Sequence, residues 1–287
     1  MSTPGVCVVI VTFNSGDEAN RCLETVARDL ASVEWHAIVV DNASTDGSAN
    51  LIASAPHLQV RRNAANRGFG AAVNQAARLT RAPLLWLLNP DCRVEPGVFP
   101  ALVDTLDRHA DCAIAAPQLL NADGSVQASA RGDPTAWTGL FGRHGLLAKL
   151  FPNAAMTRRN LQAADLVAAG AESTPIDWVM GASMLIRRDM FDAVGGFDER
   201  YFLYWEDADL CRRFRARGWS TRFVPRARVL HSGGASAKTS SKLAIRAFHR
   251  SAYQYYATHV VRSRLHPARW FARVALPLRA WWRSRRA

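Results

Sequence analysis

No acidic residue follows Asp209 in this 287-residue sequence. Residues 210–287 carry 19 Lys and Arg and no Asp or Glu, a net of +19. Residues 1–209 hold 17 Lys and Arg against all 24 Asp and Glu, a net of −7. The overall charge of +12 therefore belongs to the C-terminal part and is not a property of the whole chain. No recognised nucleic-acid motif accompanies it, and the acid-bearing loops of the first part would repel phosphates, so nucleic acid is not an expected partner. Paired cysteine spacing is missing too. The five cysteines (Cys7, Cys22, Cys92, Cys112, Cys211) are odd in number and without a CxxC pair, which argues against a disulfide framework and for a reducing, cytoplasmic setting. No apolar run approaches the ~18 residues of a membrane span. Met1 to Pro4 lacks a charged leader, so the expectation is a chain neither secreted nor spanning. Solenoid-length repeats and low-complexity segments are absent as well. Two phosphate-binding signatures also fail. There is no GxxxxGK[ST], and "GFGAAVN" offers Gly68 and Gly70 without a third glycine, after the third apolar run and not the first.

What is present is an alternation. The runs "VCVVIV", "AIVV", "LQV", "LLWLL" and "CAIAA" are too short for helices and are separated by helix-length stretches at 18–30, 68–80 and 96–109. Near-continuous apolar strands joined through helices predict an α/β fold: a mostly parallel sheet with helices on both faces. Ligands of such sheets bind beyond the carboxyl ends of the strands. The loops that follow four of the runs are "TFNSGD", "DNASTDGS", "RNAANRGFGAAVN" and "NPDC". Taken singly, each is explained by turn and helix-cap chemistry. Four in one register are better explained by a site.

The second half is less regular. "PQLLNADGSVQASA" predicts a hairpin about Asp123-Gly124. Residues 131–175 resist assignment and have the length of a lid or binding loop. "DWVMGASMLIRR" reads as a single strand. A helix starting near Glu206 would put Asp207 on the side of Leu210, Cys211 and Phe214, leave Glu206 on the flank, and pair Asp209 with Arg213 at i+4. A helix is expected over 240–261. Beyond it, Trp270, Phe271, Val274, Leu278, Trp281 and Trp282 keep helical spacing among arginines 269, 273, 279, 283, 285 and 286, with Pro277 interrupting the pattern. An Arg-rich, aromatic amphipathic segment suits an anionic membrane surface; a helix packed on the body with solvated arginines is the plainer alternative.

In order, "VVIVTFNS", "IVVDNASTDGS", "NRGFGAAVN", "LLWLLNPDC", "DWVMGASMLIRRDMFDAVGGFDERYFLYWEDADLCRR" and "VLHSGGAS" resemble the inverting family 2 glycosyltransferases of GT-A fold. In detail they resemble the bacterial dTDP-rhamnosyltransferases of cell-surface polysaccharide synthesis. The resemblance runs from about residue 6 to about residue 236. It implies a GT-A domain over 1–236 and a basic helical extension over 237–287. It also implies transfer of a sugar, rhamnose foremost, from a dTDP- or UDP-linked donor to a hydroxyl of a glycan or lipid-linked acceptor. By the same resemblance Asp41 accepts the pyrimidine N–H, with Thr12 and Asn14 in the same pocket, and Asn66, Gly68 and Phe69 lie against the donor. Asn89 and Asp91 stand at the two acidic positions of the family's DxD metal motif, and His231 at a third metal ligand, for Mg2+ or Mn2+. Having Asn at the first position leaves one carboxylate where two are usual, so weak metal binding without donor is expected. Asp207 is the expected catalytic base, Glu206 the alternative base or acceptor ligand. Trp178, Gly181, Ala182 and Trp205 are expected on the acceptor side. A sugar-nucleotide-binding relative without activity, or a transferase using a UDP-hexose, are the competing readings. The expected location is the cytoplasm, peripheral to the inner face of the membrane.

Overall fold

The computed structural model describes residues 5–134, 162–168, 170–233 and 241–285. The five apolar runs become β1 (Val6–Thr12), β2 (Trp35–Asp41), β3 (Leu58–Arg62), β4 (Leu84–Leu88) and β6 (Cys112–Leu120), with the short β5 (Cys92–Val94) between the last two. The intervening stretches become α1 (Glu18–Asp29), α2 (Ser48–Leu51), α3 (Phe69–Arg78) and α4 (Val98–Arg108). With β8 (Thr174–Ile176), β10 (Ser183–Arg187) and β11 (Ser220–His231), a nine-stranded sheet runs β3-β2-β1-β4-β10-β6-β11-β5, β8 being added on β11. β3, β2, β1 and β4 are parallel, as are β6 and β11, while β10 is inserted antiparallel between β4 and β6.

Both faces of the sheet are covered, as continuous apolar strands require. Val6, Val8 and Ile10 point toward α1 and α4 and pack with Cys22, Val26, Phe99 and Leu102. Cys7 and Val9 point the other way, with Ala72 and Val73 of α3 and Leu210 and Phe214 of α7 (Glu206–Arg215). Each fully buried Val, Leu or Phe contributes about 1.5–3 kcal/mol of transfer free energy. α5 (Gln162–Ala168) and α6 (Arg188–Ala193) complete this part of the chain.

Two expectations change. "DWVMGASMLIRR" is not one strand. It splits into β9 (Trp178–Val179), which pairs with β7 (Ala130–Arg131) in a separate two-stranded sheet, and β10, with Gly181 at the break. The amide of Gly181 leaves the ladder to bond Asp207, which ends the strand there. The pattern about Pro277 does not break: α9 (Pro267–Ser284) is continuous through it. Proline deletes one helical hydrogen bond, to the carbonyl of residue 273, and both Arg273 and Pro277 are exposed where water can satisfy that carbonyl. The turn at Asp123-Gly124 forms, with Gly124 at φ 80° and a single bridge between Leu120 and Val126. Most of the 131–175 stretch and residues 234–240, where the expected boundary at 236/237 falls, lie outside the described residues. So does Arg286.

The C-terminal helices α8 (Ser241–Tyr255) and α9 are joined through a π-helical turn (Tyr256–Val260) and pack together through Ala252, Ala272 and Leu276. They also pack on the body, against Trp205 at the head of α7.

Candidate active site

Register sets the site at one end of the sheet. Thr12 is level with Asp41, and Asp41 with Arg62; Asn89 follows the last residue of β4 directly. Thr12 and Asp41 are buried, and the Thr12 hydroxyl is hydrogen-bonded to that of Ser15. Asp41 Oδ2 accepts from the Ser44 amide at 3.2 Å, whereas Oδ1 is buried with no partner among the described residues. A buried carboxylate oxygen left bare costs about 1–3 kcal/mol or more, so Oδ1 is an acceptor waiting for a donor. Asn14 is tied into the same loop pair: its amide donates to Ser44 Oγ at 2.9 Å and its Oδ1 accepts from the Thr45 amide at 2.8 Å.

The glycine loop is fixed by contacts that sequence reading did not anticipate. Asn42, 2% exposed, donates to the Gly68 carbonyl at 3.1 Å and accepts from the Arg67 amide at 3.1 Å. Asn66 accepts from the Gly68 amide at 2.9 Å. Gly68 has φ 87°, and a Cβ there would stand 2.3 Å from the carbonyl oxygen of Phe202, so only glycine fits. The Phe69 amide donates to that same carbonyl at 3.1 Å. The glycine loop thus rests on the aromatic segment ahead of α7.

Asn89, Asp91 and His231 converge although 140 residues separate the last from the others. The Asn89 amide nitrogen lies 3.1 Å from His231 Nε2, and Asp91 Oδ1 lies 3.4 Å from it. Gln127 Oε1 sits 3.0 Å from His231 Nδ1. Donation from Nδ1 to Gln127 leaves the Nε2 lone pair facing Asp91. This is the tautomer a metal ligand needs, oriented by an outer partner. An imidazole nitrogen, a carboxylate and an amide suit Mg2+ or Mn2+ when other oxygens complete the set. Among the described residues no third acid, cysteine or histidine joins Asp91 and His231.

At the head of α7 the three carboxylates have three environments. Tyr204 and Trp205 precede it with φ 66° and 72°, and Asn14 and Ala43 of the loops after β1 and β2 have φ 51° and 68°. These four are the left-handed non-glycine residues of the described chain, and all lie at the candidate site; such conformations cost of order 1 kcal/mol each and cluster at functional sites. Asp209 is 1% exposed and fully engaged, by Arg213 Nε at 2.7 Å, as the i+4 spacing predicts, and by His259 Nε2 at 2.6 Å. Glu206 is buried, and its Oε2 has no partner among the described residues. Asp207 is the half-buried member of the three. His259 of the C-terminal extension reaches the flank of α7 at Asp209, and the flank residues Glu206 and Asp209 are more buried than Asp207, which the helical pattern had turned inward. Asp207 Oδ2 accepts from the Gly181 amide at 3.0 Å and Oδ1 from the Ala208 amide at 2.8 Å.

Burial, then the neighbouring Asp207 charge, push the Glu206 carboxyl up to about 8. Burial raises Asp207 as well, but two backbone amides and the Arg131 charge oppose it. The pair therefore shares its protons unequally: Glu206 holds its proton more tightly, and Asp207, favoured by its amide donors, is the member that gives one up first. Arg131, which sequence reading missed, also lies over the Trp178 ring at 5.1 Å. Trp178 donates to the Gly132 carbonyl at 2.9 Å. Gly181 sits against both Asp207 and Phe69: a Cβ on Gly181 would lie 3.6 Å from a side-chain atom of each. Ala182 is instead a core residue whose carbonyl accepts from the Asn89 amide at 2.8 Å. Trp205 turns toward the extension, its ring 5.2 Å from Tyr255 and 5.8 Å from Phe248.

A parallel-to-mixed sheet with strand-end loops gathering an aspartate, an Asp–His pair and a split carboxylate pair is the build of a sugar-transferring enzyme. The comparisons give the family. "Glycosyl transferase family 2" matches residues 7–157, and "Glycosyl transferase family group 2" matches 147–284. The chain belongs to glycosyl transferase family 2 and is a glycosyltransferase. It is 33% identical over 286 residues, 95% of this chain and 91% of the relative, to an N-acetylglucosaminyl-diphospho-decaprenol L-rhamnosyltransferase of Mycobacterium tuberculosis. It is 36% identical over 84 residues, 29% of this chain and 32% of the relative, to rhamnosyltransferase WbbL of Escherichia coli. In fold it is similar to a mannosyltransferase of Pyrobaculum calidifontis solved with GDP-Man and Mn2+, at TM-score 0.58 and 16% identity, covering 98% of this chain and 74% of that one. It is also similar to GalNAc-T7 solved with UDP, GalNAc and Mn2+, at TM-score 0.57 and 17% identity, covering 92% and 52%. The GT-A fold expected from the sequence is thus the fold observed.

Proposed function

We propose that this enzyme moves rhamnose from dTDP-rhamnose to a hydroxyl of a lipid-linked glycan, inverting the anomeric centre in one displacement. The observation that carries the mechanism is the unequal carboxylate pair. Asp207 is ionised, partly open and held by two amides, and so takes the proton of the acceptor hydroxyl as that oxygen attacks. Glu206, protonated, keeps a second negative charge from forming beside it. Asp41 Oδ1 receives the pyrimidine N–H, and Thr12, Asn14, Asn66, Gly68 and Phe69 form the rest of the donor wall. Asp91 and His231, with Asn89 beside them, would hold Mg2+ or Mn2+, which when bound offsets the charge of the departing nucleoside diphosphate. The domain division at 236/237 and the roles of Trp178, Gly181 and Trp205 at the acceptor belong to the same proposal. The mycobacterial relative's name supports rhamnose and a diphosphate-lipid acceptor. No helix among the described residues is long and apolar enough to cross a membrane; we place the enzyme at the cytoplasmic membrane face through its basic extension.

A panel of dTDP-, UDP- and GDP-sugars, read as transfer or slow hydrolysis, tests the donor. Turnover fastest with dTDP-rhamnose is the expected result, and a clear preference for a UDP-hexose would replace the donor. In the same assay Asp207→Asn should lower kcat by ~10² or more with nucleotide affinity unchanged; near-normal kcat would remove Asp207 as the base.

A further inference from the structure

Between α8 and α9 lies a cavity of about 670 Å3 that the transfer mechanism does not use. Arg246, Arg250 and Tyr253 of α8 and Arg273 and Trp281 of α9 line it, with His249 at its base. Arg246 and Arg250 stand at i,i+4, where like charges repel, and Arg273 faces them from the second helix. No carboxylate follows Asp209 in the sequence, and none of these three arginines takes part in an ion pair among the described residues. His249 beside them is 4% exposed and hydrogen-bonded to the Ile245 carbonyl; burial, with a smaller contribution from the charges of Arg279 and Arg283, lowers its pKa against the raising effect of that bond. A groove of this charge with no internal counter-ion has chemistry for a multiply charged anion.

Two further observations say what kind of anion. Trp281 lines the groove and also belongs to the outer stripe of α9, where Trp270, Phe271, Val274, Leu278, Trp281 and Trp282 are 50–63% exposed. At 3.6 residues per turn these six fall within about 120° of arc, opposite the buried Ala272, Leu276 and Ala280. An apolar stripe thus begins where the cationic groove ends, matching a ligand with a charged head and a hydrocarbon tail. On its other side the groove borders the apolar cluster that carries Trp205. Tyr253 packs in the same cluster as Trp205, and Trp205 is the residue before Glu206.

We infer that the α8–α9 groove binds the diphosphate of a polyprenyl-linked acceptor, with the hydrocarbon chain along the outer stripe of α9 and the sugar end directed past Trp205 toward Asp207. This rests on the lipid-linked acceptor reading above. It adds a phosphate site, Arg246, Arg250 and Arg273, to the donor and base residues.

The test uses the full chain without donor, so its failure leaves sugar transfer, assayed separately, untouched. Binding is measured to phosphatidylcholine vesicles carrying polyprenyl diphosphate, and to vesicles carrying phosphatidylglycerol at equal surface charge. The groove variant Arg246→Gln/Arg250→Gln/Arg273→Gln is compared with Arg28→Gln/Arg78→Gln/Arg81→Gln, which removes the same charge from exposed arginines elsewhere. All six side chains are exposed, and a matching melting temperature verifies folding. The groove variant should lose polyprenyl diphosphate binding about tenfold or more while the other keeps it, and inorganic pyrophosphate should compete with the wild type. Equal loss on both vesicle types would overturn the assignment in favour of a general anionic surface. Unchanged binding of polyprenyl diphosphate by the groove variant would overturn it outright.

Discussion

Glu206 holds its proton more tightly in the folded chain than in the unfolded one, about 8 against the ordinary 4.5. Its contribution to stability is therefore fully present below pH ~4.5 and is lost as pH rises through about 8. Glu206→Gln keeps the shape and removes the titration. Thermal unfolding of variant and wild type should converge near pH 5 and separate by pH 8.5, the variant melting higher by about 2 °C or more; parallel curves would mean that Glu206 ionises normally. A second residue-scale prediction concerns Gln127, which orients His231. Gln127→Ala should weaken Mn2+ binding about 10–100-fold, measured by calorimetry with dTDP present. In the wild type, Mn2+ alone should bind weakly, because Asp91 and His231 supply two donors and the diphosphate must supply others. Asp41 and Asp91 stood out in the sequence because each follows an apolar run, whereas His231 entered only through the family resemblance. Gln127, Arg131 and Asn42 did not stand out, since each acts through a partner remote in sequence or through backbone that only the folded loop presents.

Among elements, β1 to β4 and β6 were readable because a strand covered on both faces must be apolar throughout, and short apolar runs have few other uses. β9 and β10 were misread as one strand because nothing local marks the amide of Gly181 as taken by a side chain 26 residues away. α7 shows the same limit. Its period identified the helix but not what covers its flank, because α8 and the π-helical turn, which begin at Ser241 and Tyr256, arrive from much later in the chain. That covering has a consequence. Tyr204 and Trp205, both left-handed, are clamped by Phe248 and Tyr255, and the Leu203 carbonyl accepts from Ser251 Oγ at 2.9 Å. His259 reaches Asp209 on the first turn of the same helix. His259→Ala would leave one oxygen of a buried carboxylate without its donor, at a cost of about 1–3 kcal/mol. Because Asp209 and the Glu206–Asp207 pair share that turn, kcat should fall while donor KM holds. A variant with lowered melting temperature but unchanged kcat would reduce His259 to a structural brace.

On the scale of the molecule, charge is segregated along the chain: −7 through Asp209, +19 beyond it. In water the +19 segment repels itself, and only part of that is relieved by contacts with the body, such as Arg212 and Arg215 with Asp133 and Arg213 with Asp209. The arginines of α8 and α9 have no such acids within their own segment. An anionic bilayer would supply the missing charge, and the exposed stripe of α9 would supply the hydrophobic contribution. The two can be separated by salt. Electrostatic attraction fades as the Debye length shrinks from ~10 Å at 0.1 M to ~3 Å at 1 M, whereas apolar burial does not. Wild-type binding to phosphatidylglycerol vesicles should therefore fall steeply with salt to a residual level. Trp270→Ser/Phe271→Ser/Trp282→Ser, which changes side chains 50–63% exposed, should abolish that residue while leaving the low-salt slope and the melting temperature in place. If the triple variant bound as tightly as wild type at 1 M salt, the stripe would not enter the bilayer. The arginines alone would then hold the enzyme to its surface.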